Sequence, residues 1–543
     1  MYKKLLIVTL LAMCLVPVLG LFHSGLPFTH DGQDHVARIA NFYLNLSEGN
    51  VIPRWAPNLN WGYGHPVLEF LYPLPSYIAS LFHFMGYSLI DSTKIVFGLG
   101  MVLSGIFMFM WLAEFLRRGP AFVGAILYMY APYRFVDLYV RGDIGENLAF
   151  AFMPVSLYFI LKLSKKINAK YVVLGSISVA FLVLSHNAIS LIYMPFLLVY
   201  GTILGFYKKD RKDYLISLGA ILVFGLALSA FFWIPGLIEA KYTLRNIVTK
   251  GAYLERFVDI KSLFYGPWSF GGTGEFTLQI GILHLLFLIL SPVLFFWNKR
   301  KKENVLILSL VAYSILAIFI MLPVSDFIWS RFIILQNFQF PWRFLAITVF
   351  STSALAALVF SKIPAKLEKI SLIVFTITIL LLSKDYWHAQ GYLQKPEQFF
   401  TGIYNSTTDT GESGPIWSVR FMEKRAAAEI EVISGDALVQ VTQRKATKHV
   451  YTVDVKTSAR FRENTLYFPG WKVLVDSQPV EVQFQDRNSR GLITFPVDRG
   501  VHIVEVIYTE TKLRLFADLI SAAALLLVLS YNRWSNKLWR RFL

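Results

Sequence analysis

Long apolar runs separated by short polar breaks make up most of the first 384 residues. A run of about 18 or more apolar residues matches the roughly 30 Å hydrocarbon core of a bilayer and predicts a spanning helix. We predict about twelve transmembrane helices, the last of them near the C-terminus. Their ranges are 5–22, 94–116, 120–137, 147–164, 170–185, 187–206, 213–238, 276–297, 304–323, 343–361, 367–384 and 514–532.

Residues 71–90 are also apolar, but we predict that they do not span. Pro73, Pro75 and His83 weaken this segment, and counting it as a span would move every later basic cluster to the opposite side. We expect it to lie in or against the outer interface. Residues 23–93 then form one large first outer loop.

The pattern after residue 384 changes to alternating apolar and polar positions. Segments such as "AEIEVIS", "HVYTVDVK" and "WKVLVDSQPVEVQF" alternate with period two, and Gly, Asp-Ser and Pro turns separate them. This pattern predicts antiparallel strands. We therefore expect an α-helical polytopic membrane domain at 1–384, an extracytoplasmic antiparallel β-sandwich domain at 385–513, and a last helix with a basic tail at 514–543.

Composition agrees with a membrane protein, and the placement of charge predicts its orientation. The chain is 55% hydrophobic and 16% charged, with a net charge of +17. In a soluble domain this charge would suggest a nucleic-acid partner, but here it lies in short breaks, as in cytoplasmic loops. We predict no nucleic-acid partner, contact with membrane lipid, cytoplasmic N- and C-termini and an outer β-domain. The clusters are Lys3–Lys4, Arg117–Arg118, Lys162–Lys170, Lys208–Lys212, Lys299–Lys302, Lys362–Lys369 and Arg533–Arg541.

Cys14 is the only cysteine, so a disulfide framework and a thiol metal site are both excluded. Residues 5–22 suit either a cleaved signal peptide or a first helix. We favour the uncleaved helix because the apolar run is long and the rest of the chain is membrane-bound.

Four clusters of ionisable and polar side chains fall on the predicted outer side. Charges are otherwise scarce within the spans, and polar groups at that depth typically face a cavity or a partner. The clusters are Asp31, Asp34 and His35 after the first helix; Arg141, Asp143 and Glu146 after the third; His186 and Asn187 after the fifth; and Arg343 at the start of the tenth.

Asp31 and His35 are four residues apart and share one face of a helix that begins near Thr29. A carboxylate beside an imidazole can take a proton from a hydroxyl or hold a divalent cation. The structural alternative is a helix cap, in which Thr29 or Asp31 binds free N–H groups.

The other clusters also have two interpretations each. Arg141 would either pair with Glu146 across a short loop or bind a phosphate, whose oxygens suit a guanidinium fork. Arg343 would either extend to the outer interface or join the same phosphate site. His186 would either face a cavity or, with Asn187, make a helix-packing hydrogen bond.

The segment "NLNWGYGHPVLEFLYP" is rich in aromatic residues and glycine. Trp and Tyr commonly anchor a protein at the membrane interface. The same side chains would form a platform for a sugar or a lipid headgroup. The sequence leaves both interpretations open.

Taken in order, several segments resemble a bacterial and archaeal family of polytopic membrane proteins termed pyruvoyl-tetrahydropterin synthase-related. Nothing in the chain resembles a soluble pterin enzyme. The resemblance spans most of the chain and rests on "HDGQDHVARIANFYLNLSEGNVIPRWAPNLNWGYGHPVLEFLYPLPSY", "YVRGDIGENLAFAFMPVSLY", "LSHNA" and "FQFPWRFL". The layout is similar to that of membrane glycosyltransferases of the C-type (GT-C) fold. "YFPGWKVLVDSQPVEV" also resembles the outer β-domain of related proteins that glycosylate cell-wall polymers.

This resemblance implies an integral-membrane glycosyltransferase of the cell envelope. It would transfer a sugar from a polyprenyl-phosphate donor to an extracytoplasmic glycan, lipid, wall-polymer or protein acceptor. The early aspartate that such enzymes use as catalytic carboxylate corresponds to Asp31, with Asp34 as the neighbouring candidate. Arg141, His186 and Arg343 would line the phosphate end of the cavity.

The sequence identifies no cofactor, and it leaves a divalent cation such as Mg²⁺ or Mn²⁺ open because the first loop has no Asp-x-Asp pair. Two other functions stay open as well. One is a transporter or flippase for a lipid-linked sugar, although charges near mid-membrane are scarce. The other is a non-catalytic membrane scaffold whose β-domain binds glycan.

Overall fold

The computed structural model describes residues 2–271, 276–297 and 301–542, with the backbone alone for residues 2, 3, 297 and 532–542. Of the predicted basic clusters, Lys299 and Arg300 lie outside the described residues, as do the side chains of Lys3 and Arg533–Arg541. The longer helices are α1 (Tyr2–Leu15), α2 (Gly32–Ser47), α3 (Leu74–Phe84), α4 (Leu89–Ala113), α5 (Arg118–Met129), α6 (Ile144–Lys165), α7 (Ala169–Ser185), α8 (Asn187–Phe206), α9 (Arg211–Leu228), α10 (Ala230–Ile238), α11 (Ile282–Leu290), α12 (Lys301–Met321), α13 (Leu345–Phe360), α14 (Ala365–Ser383) and α15 (Lys512–Phe542).

Within the described residues, seven helices are long and apolar enough to cross a membrane. Helix α9 and the helical segment after it, bent by 68° at their junction, are together long and apolar enough for an eighth span or a re-entrant loop. The remaining predicted spans are helical but less complete. Helices α5, α7 and α11 are short, and α14 begins with three charged side chains among its first five residues. Helix α5 stops early because Ala131, which precedes Pro132, has the extended backbone that a following proline favours.

The spans α4, α6, α8, α12 and α13 have two chemically different ends. Helices α6, α8 and α13 begin beside Asp143, His186 and Arg343, and this end is termed the site end. The opposite end is termed the basic end. It carries Arg117, Lys165, Lys208, Lys301 and Lys362, which meet around one cavity. The predicted separation of the ionisable clusters from the basic loops is therefore present in the structure.

The first loop forms a folded layer at the site end. It contains α2 and α3, and α3 has 11 residues. A helix of that length extends about 16 Å, too little to cross the roughly 30 Å hydrocarbon core. Strand β1 (Leu26–Pro27) of this loop pairs antiparallel with β2 (Tyr392–Leu393). The loop is thus attached to the chain segment that follows α14.

Six strands near the C-terminus form one antiparallel sheet. They are β3 (Ile430–Arg444), β4 (Lys448–Leu466), β5 (Trp471–Val475), β6 (Gln478–Val480), β7 (Leu492–Val497) and β8 (Gly500–Tyr508). The order is β3-β4-β8-β5-β6, and β7 also pairs with β4.

This sheet differs from the predicted sandwich because its strands are joined in one sheet. The first half of β4 pairs with β8 and the second half with β7, so one long strand serves both parts. Register shifts in β3 between Val432 and Ala437 mark bulges, which bend a strand. The inner face packs around one apolar core that includes Tyr451, Phe461 and Phe495.

Residues between β2 and β3 pack on the first loop instead of extending the sheet. The backbone N–H of Tyr404 donates to Asn58 (2.8 Å), and the N–H groups of Asn60 and Trp61 donate to Ser406 and Tyr404 (both 2.9 Å). Residues 404–412, termed the strap, are therefore fixed against this loop by main-chain hydrogen bonds.

The last helix is attached to the same layer by buried ion pairs. Arg514 lies 2.9 Å from Glu69 and 2.6 Å from Glu239, and Arg54 lies 2.6 Å from Asp518. Buried charges are stable only when partners offset their desolvation. The pairs therefore fix α15 against the first loop.

Candidate active site

The segment before α2 is held against the segment before α6 by main-chain hydrogen bonds. The N–H of His30 donates to the Val140 carbonyl (2.9 Å), and that of Asp31 donates to the Arg141 carbonyl (2.8 Å). Two of the predicted clusters, more than 100 residues apart in sequence, are thereby brought together.

Asp31 precedes the first residue of α2, but its carboxylate does not cap the helix. The hydroxyl of Thr29 accepts the Gly32 N–H instead (3.1 Å). Within the described residues, the Asp31 carboxylate has no hydrogen-bond or ion-pair partner, and it is exposed. Thr29 therefore has the capping role, and Asp31 is available to a ligand.

The surroundings of Asp31 make its carboxyl more basic. Although the side chain reaches solvent, the enclosing protein and the nearby Asp143 carboxylate raise the pKa of Asp31, while Arg141 and Arg38 act in the opposite direction. A raised pKa suits a group that accepts a proton near neutral pH.

Arg141 forms the centre of a buried ionic cluster. Its guanidinium lies 2.6 Å from Asp137, 2.8 Å from Asp143 and 2.9 Å from Glu146. The Tyr133 hydroxyl donates to Glu146 (2.7 Å). The ion pair with Glu146 that we considered as the structural alternative is therefore present, and two further carboxylates share the same guanidinium.

Asp143 joins this cluster to the start of α8. It accepts the Glu146 N–H (2.9 Å) and the Tyr72 hydroxyl (3.3 Å), and its carboxylate lies 3.7 Å from His186 Nε2. Burial acts to raise the pKa of Asp143, but His186 and Arg141 hold it well below the usual value. Asp143 is therefore an anion and not a proton donor.

His186 is oriented by two contacts. Its Nδ1 accepts the Ile189 N–H (3.1 Å), so the ring proton resides on Nε2, which faces Asp143. The Tyr72 ring stacks on the imidazole with centroids 4.9 Å apart. Asn187 lies at the edge of this cluster, and its side-chain amide donates to the Phe70 carbonyl (3.4 Å).

The predicted pairing of Asp31 with His35 does not form. His35 Nδ1 accepts from Arg38 Nη1 (3.0 Å), because Arg38 lies one turn further along α2. Burial and the Arg38 charge lower the pKa of His35 to about 3. His35 is therefore a neutral imidazole that carries its proton on Nε2, beside the Gly142 carbonyl.

Asp34 faces the strap, unlike Asp31. The Tyr404 hydroxyl donates to its carboxylate (2.9 Å). Burial raises the pKa of Asp34, and the Tyr404 hydrogen bond opposes this change. On the same helix Arg38 donates from Nε to the Thr408 hydroxyl (3.3 Å) and from Nη2 to the Thr408 carbonyl. The strap therefore closes one side of the site.

Arg343 approaches the cluster from the start of α13. Its Nη1 donates to the Phe338 carbonyl (2.8 Å), its guanidinium lies 4.9 Å from the Phe340 ring, and it contributes to the low pKa of Asp143. Its Nε is buried without a hydrogen-bond partner among the described residues. Arg343 thus faces the site and has fewer hydrogen-bond and ion-pair partners than Arg141 among the described residues.

Asp143, Glu146 and His186 could hold a metal ion by proximity, since one ligand atom from each lies within 4.8 Å of the others. The hydrogen bonds fit such an ion poorly. Arg141 binds both carboxylates, and the His186 Nε2 that faces Asp143 carries the ring proton. A cation would have to displace both Arg141 and that proton, so the three residues in this arrangement do not fit a bound metal ion.

Several residues of the site were not predicted from the sequence. Arg38 was predictable in principle, because residues three apart on a helix are neighbours and Arg38 follows His35 by three. Tyr72 and Tyr133 are two of the 27 tyrosines in the chain, and nothing in the sequence around them distinguishes them. Tyr404 and Thr408 lie 370 residues from their partners. No local pattern identifies them.

Comparison with known proteins gives a family and several distant similarities. A sequence model of the 6-pyruvoyl-tetrahydropterin synthase related domain, described as a membrane protein, matches residues 68–392. An uncharacterized protein of Lactococcus lactis subsp. cremoris (strain MG1363) is 28% identical over 317 residues, which cover 56% of this chain and 51% of that protein. The chain thus spans about half the length of this curated relative.

Solved structures that are similar to this chain include an oligosaccharyltransferase, an arabinofuranosyltransferase and ArnT. The Archaeoglobus fulgidus oligosaccharyltransferase has a TM-score of 0.41 at 12% identity, covering 76% of this chain and 61% of that one. Arabinofuranosyltransferase AftD from Mycobacteria has 0.48 at 14% (73% and 28%). ArnT from Cupriavidus metallidurans, bound to undecaprenyl phosphate, has 0.31 at 13% (65% and 77%). Scores below 0.5 are too low to support an inference about activity.

Proposed function

The chain belongs to the membrane-protein family of the 6-pyruvoyl-tetrahydropterin synthase related domain, and we propose that it is a membrane glycosyltransferase. It transfers a sugar from a polyprenyl-phosphate donor to an extracytoplasmic acceptor. The observation that carries this proposal is the position of Asp31 at the site end of the helices, near Asp143. Its carboxylate is exposed, has a raised pKa and has no partner among the described residues. The proposed donor, a polyprenyl-phosphate sugar, rests also on the resemblance of the sequence to GT-C enzymes.

Asp31 acts as the general base in the proposed reaction. Its carboxylate takes the proton of an acceptor hydroxyl, and the hydroxyl oxygen attacks the anomeric carbon of the sugar. The bond from that carbon to the donor phosphate oxygen breaks, and the lipid phosphate leaves with the bonding electrons. Asp34 is the weaker candidate because the Tyr404 hydroxyl already occupies its carboxylate.

Positive charge stabilises the leaving phosphate. Arg343 is the best placed group, because its Nε has no hydrogen-bond partner within the described residues. Arg141 is bound by three carboxylates and acts by positioning Asp143 and Glu146. The buried His35 acts by positioning Arg38, whose Nη1 lies 3.0 Å from the imidazole Nδ1, and preorganised charges of this kind stabilise charge that develops in a transition state.

A cleft of about 340 Å³ between the first loop and the β-domain suits the acceptor. Trp61 and Tyr63 provide aromatic surface there, and Asn58, Arg425 and Arg444 provide polar groups. Leu44 of α2 also lines the cleft, about 20 Å along the helix from Asp31 at 1.5 Å per residue. An acceptor that reaches both places is an extended glycan.

The basic end supports the proposed orientation. Lysine and arginine in short loops favour the cytoplasm, so in this proposal the termini lie inside and the site end and the β-domain lie outside. A polyprenyl donor presents its phosphate just beyond the hydrocarbon, at the depth of Asp143 and Arg343.

The test compares surface glycans by mass spectrometry in cells that produce wild type, Asp31→Asn or Asp34→Asn at matched membrane levels. We expect a sugar-sized mass in the wild type and in Asp34→Asn, and its loss in Asp31→Asn. An unchanged pattern in Asp31→Asn would refute a catalytic Asp31. The transporter and scaffold functions would then be the better explanations.

A further inference from the structure

A large cavity lies at the basic end, far from the candidate active site. Its volume is about 1,020 Å³. It opens between α8 and α12, and its wall also includes the ends of α6 and α13 and residues 115–117, which follow α4. The lining residues that matter here are Phe196, Tyr200, Ile203, Leu204 and Leu306 on the inside and a ring of lysine and arginine outside.

The cavity lies on the basic-end side of a contact between the middles of α8 and α12. Phe196 stacks on Tyr313 with centroids 5.0 Å apart and nearly parallel planes, and the Tyr313 hydroxyl donates to the Ile192 carbonyl. Beyond this contact the cavity extends to Lys208 and Lys301. Phe196 therefore marks its inner limit.

The wall of this space is apolar inside and cationic at the rim. Six cationic side chains and one carboxylate, Glu303, line it, and Glu303 is already bound to Lys362 (2.6 Å). Arg117 and Lys165 have carboxylate partners outside the cavity. Within the described part of the chain, Lys301 and Lys302 contact no carboxylate, and Lys302 lies 4.8 Å from the Tyr207 ring.

We propose that this cavity binds an anionic phospholipid, with its phosphate at Lys301 and Lys302 and an acyl chain along Phe196, Tyr200 and Leu204. A free anion would use the rim and leave the apolar wall wet, whereas a neutral lipid would leave the lysines unpaired. An anionic phospholipid both pairs with the lysines and covers the apolar wall. The volume lies at the upper end of the roughly 300–1,000 Å³ of ordinary ligand sites, and anionic leaflets attract basic segments at the membrane surface.

The bound lipid fills the space between α8 and α12. Its acyl chain contacts side chains of both helices on the basic-end side of the Phe196–Tyr313 pair. Glycosyl transfer at the other end of the helices is not required for this binding.

The experiment uses the full-length protein in neutral detergent and measures phosphatidylglycerol binding by native mass spectrometry, with phosphatidylcholine and inorganic phosphate as competitors. We expect phosphatidylglycerol to bind in preference to phosphatidylcholine. Lys301→Gln with Lys302→Gln should weaken binding about thirtyfold, because each lysine near an anionic surface contributes about 1 kcal/mol. Ile203→Trp keeps the charges but fills the cavity and should also abolish binding.

Lys170→Gln with Lys212→Gln is the matched control, since both lysines are exposed at the same end and lie outside the cavity. It should bind phosphatidylglycerol like the wild type. Equal binding of the two phospholipids, or equal loss in the control, would overturn the site. Displacement of phosphatidylglycerol by millimolar inorganic phosphate would show an anion site that does not use the apolar wall and would overturn the lipid assignment.

Discussion

The site end and the basic end belong to the same helices, yet they hold charge in opposite ways. At the site end the Arg141 side chain is 7% exposed and bound to three carboxylates. At the basic end the Lys165 side chain is 47% exposed and shares the single carboxylate of Glu114 with Lys162. Burying charge is costly unless partners offset the lost hydration, whereas exposed charge remains hydrated.

Burial, and not charge density, distinguishes the candidate site from the basic end. The basic end has more charges in sequence, but most of them are exposed. The site end has few, and nearly every one is positioned by hydrogen bonds. Asp31 is the exception, a carboxylate left without a partner within the described residues of that ordered cluster.

The largest expected effect comes from removing the centre of the buried cluster. Arg141→Met leaves Asp137, Asp143 and Glu146 without their shared cation, and such a loss typically costs about 3–5 kcal/mol. Thermal unfolding in detergent measures it. The matched variant Lys362→Met breaks one ion pair with Glu303 at the basic end and should cost less than about 1 kcal/mol. Similar losses in both variants would contradict the distinction between the ends.

The pH dependence of transfer gives the next effect. The base has to be ionised, so activity falls as pH decreases through the raised pKa of Asp31, above the ordinary aspartate value of about 3.9. Below that point we expect about a tenfold loss per pH unit. His35, with a pKa of about 3, stays neutral near neutral pH, so His35→Gln should lower the rate without moving the acid limb of the pH profile. If the acid limb of the pH–activity profile moved in His35→Gln, the titrating group would be the His35 imidazole and not Asp31.

The smallest effect concerns the strap. Tyr404→Phe removes one hydrogen bond to Asp34 and should cost about 1 kcal/mol of unfolding free energy. At the basic end Tyr207→Phe is the matched change, because its hydroxyl makes no hydrogen bond within the described residues and should leave stability unchanged. Equal midpoints for the two variants in denaturant would show that the strap contact is weak.

The spanning helices and the separation of the two ends could be predicted because hydropathy and charge act locally along the chain. The same reasoning excluded a span at 71–90, where α3 is too short to cross. Strand positions were predictable for the same reason. Strand partners were not, since period-two alternation does not specify which strands share β4.

The candidate site could be predicted only in part. The sequence identifies Asp31, Asp143, His186 and Arg343 because ionisable groups are rare beside apolar runs, and the structure brings these residues together. The expected Asp31–His35 pair is wrong because Arg38 competes for the imidazole. The strap residues were missed because their partners are distant in sequence and only the fold joins them.

The strap also determines when the site is completed during synthesis. Tyr404 and Thr408 meet Asp34 and Arg38 across 370 residues. The first loop and the helices through α14 have therefore been synthesised before these contacts can form. Until then the first loop lacks the strap, and contacts of such long separation form late in folding. A chain that terminates before residue 404 would insert in the membrane with Asp34 and Arg38 lacking these partners.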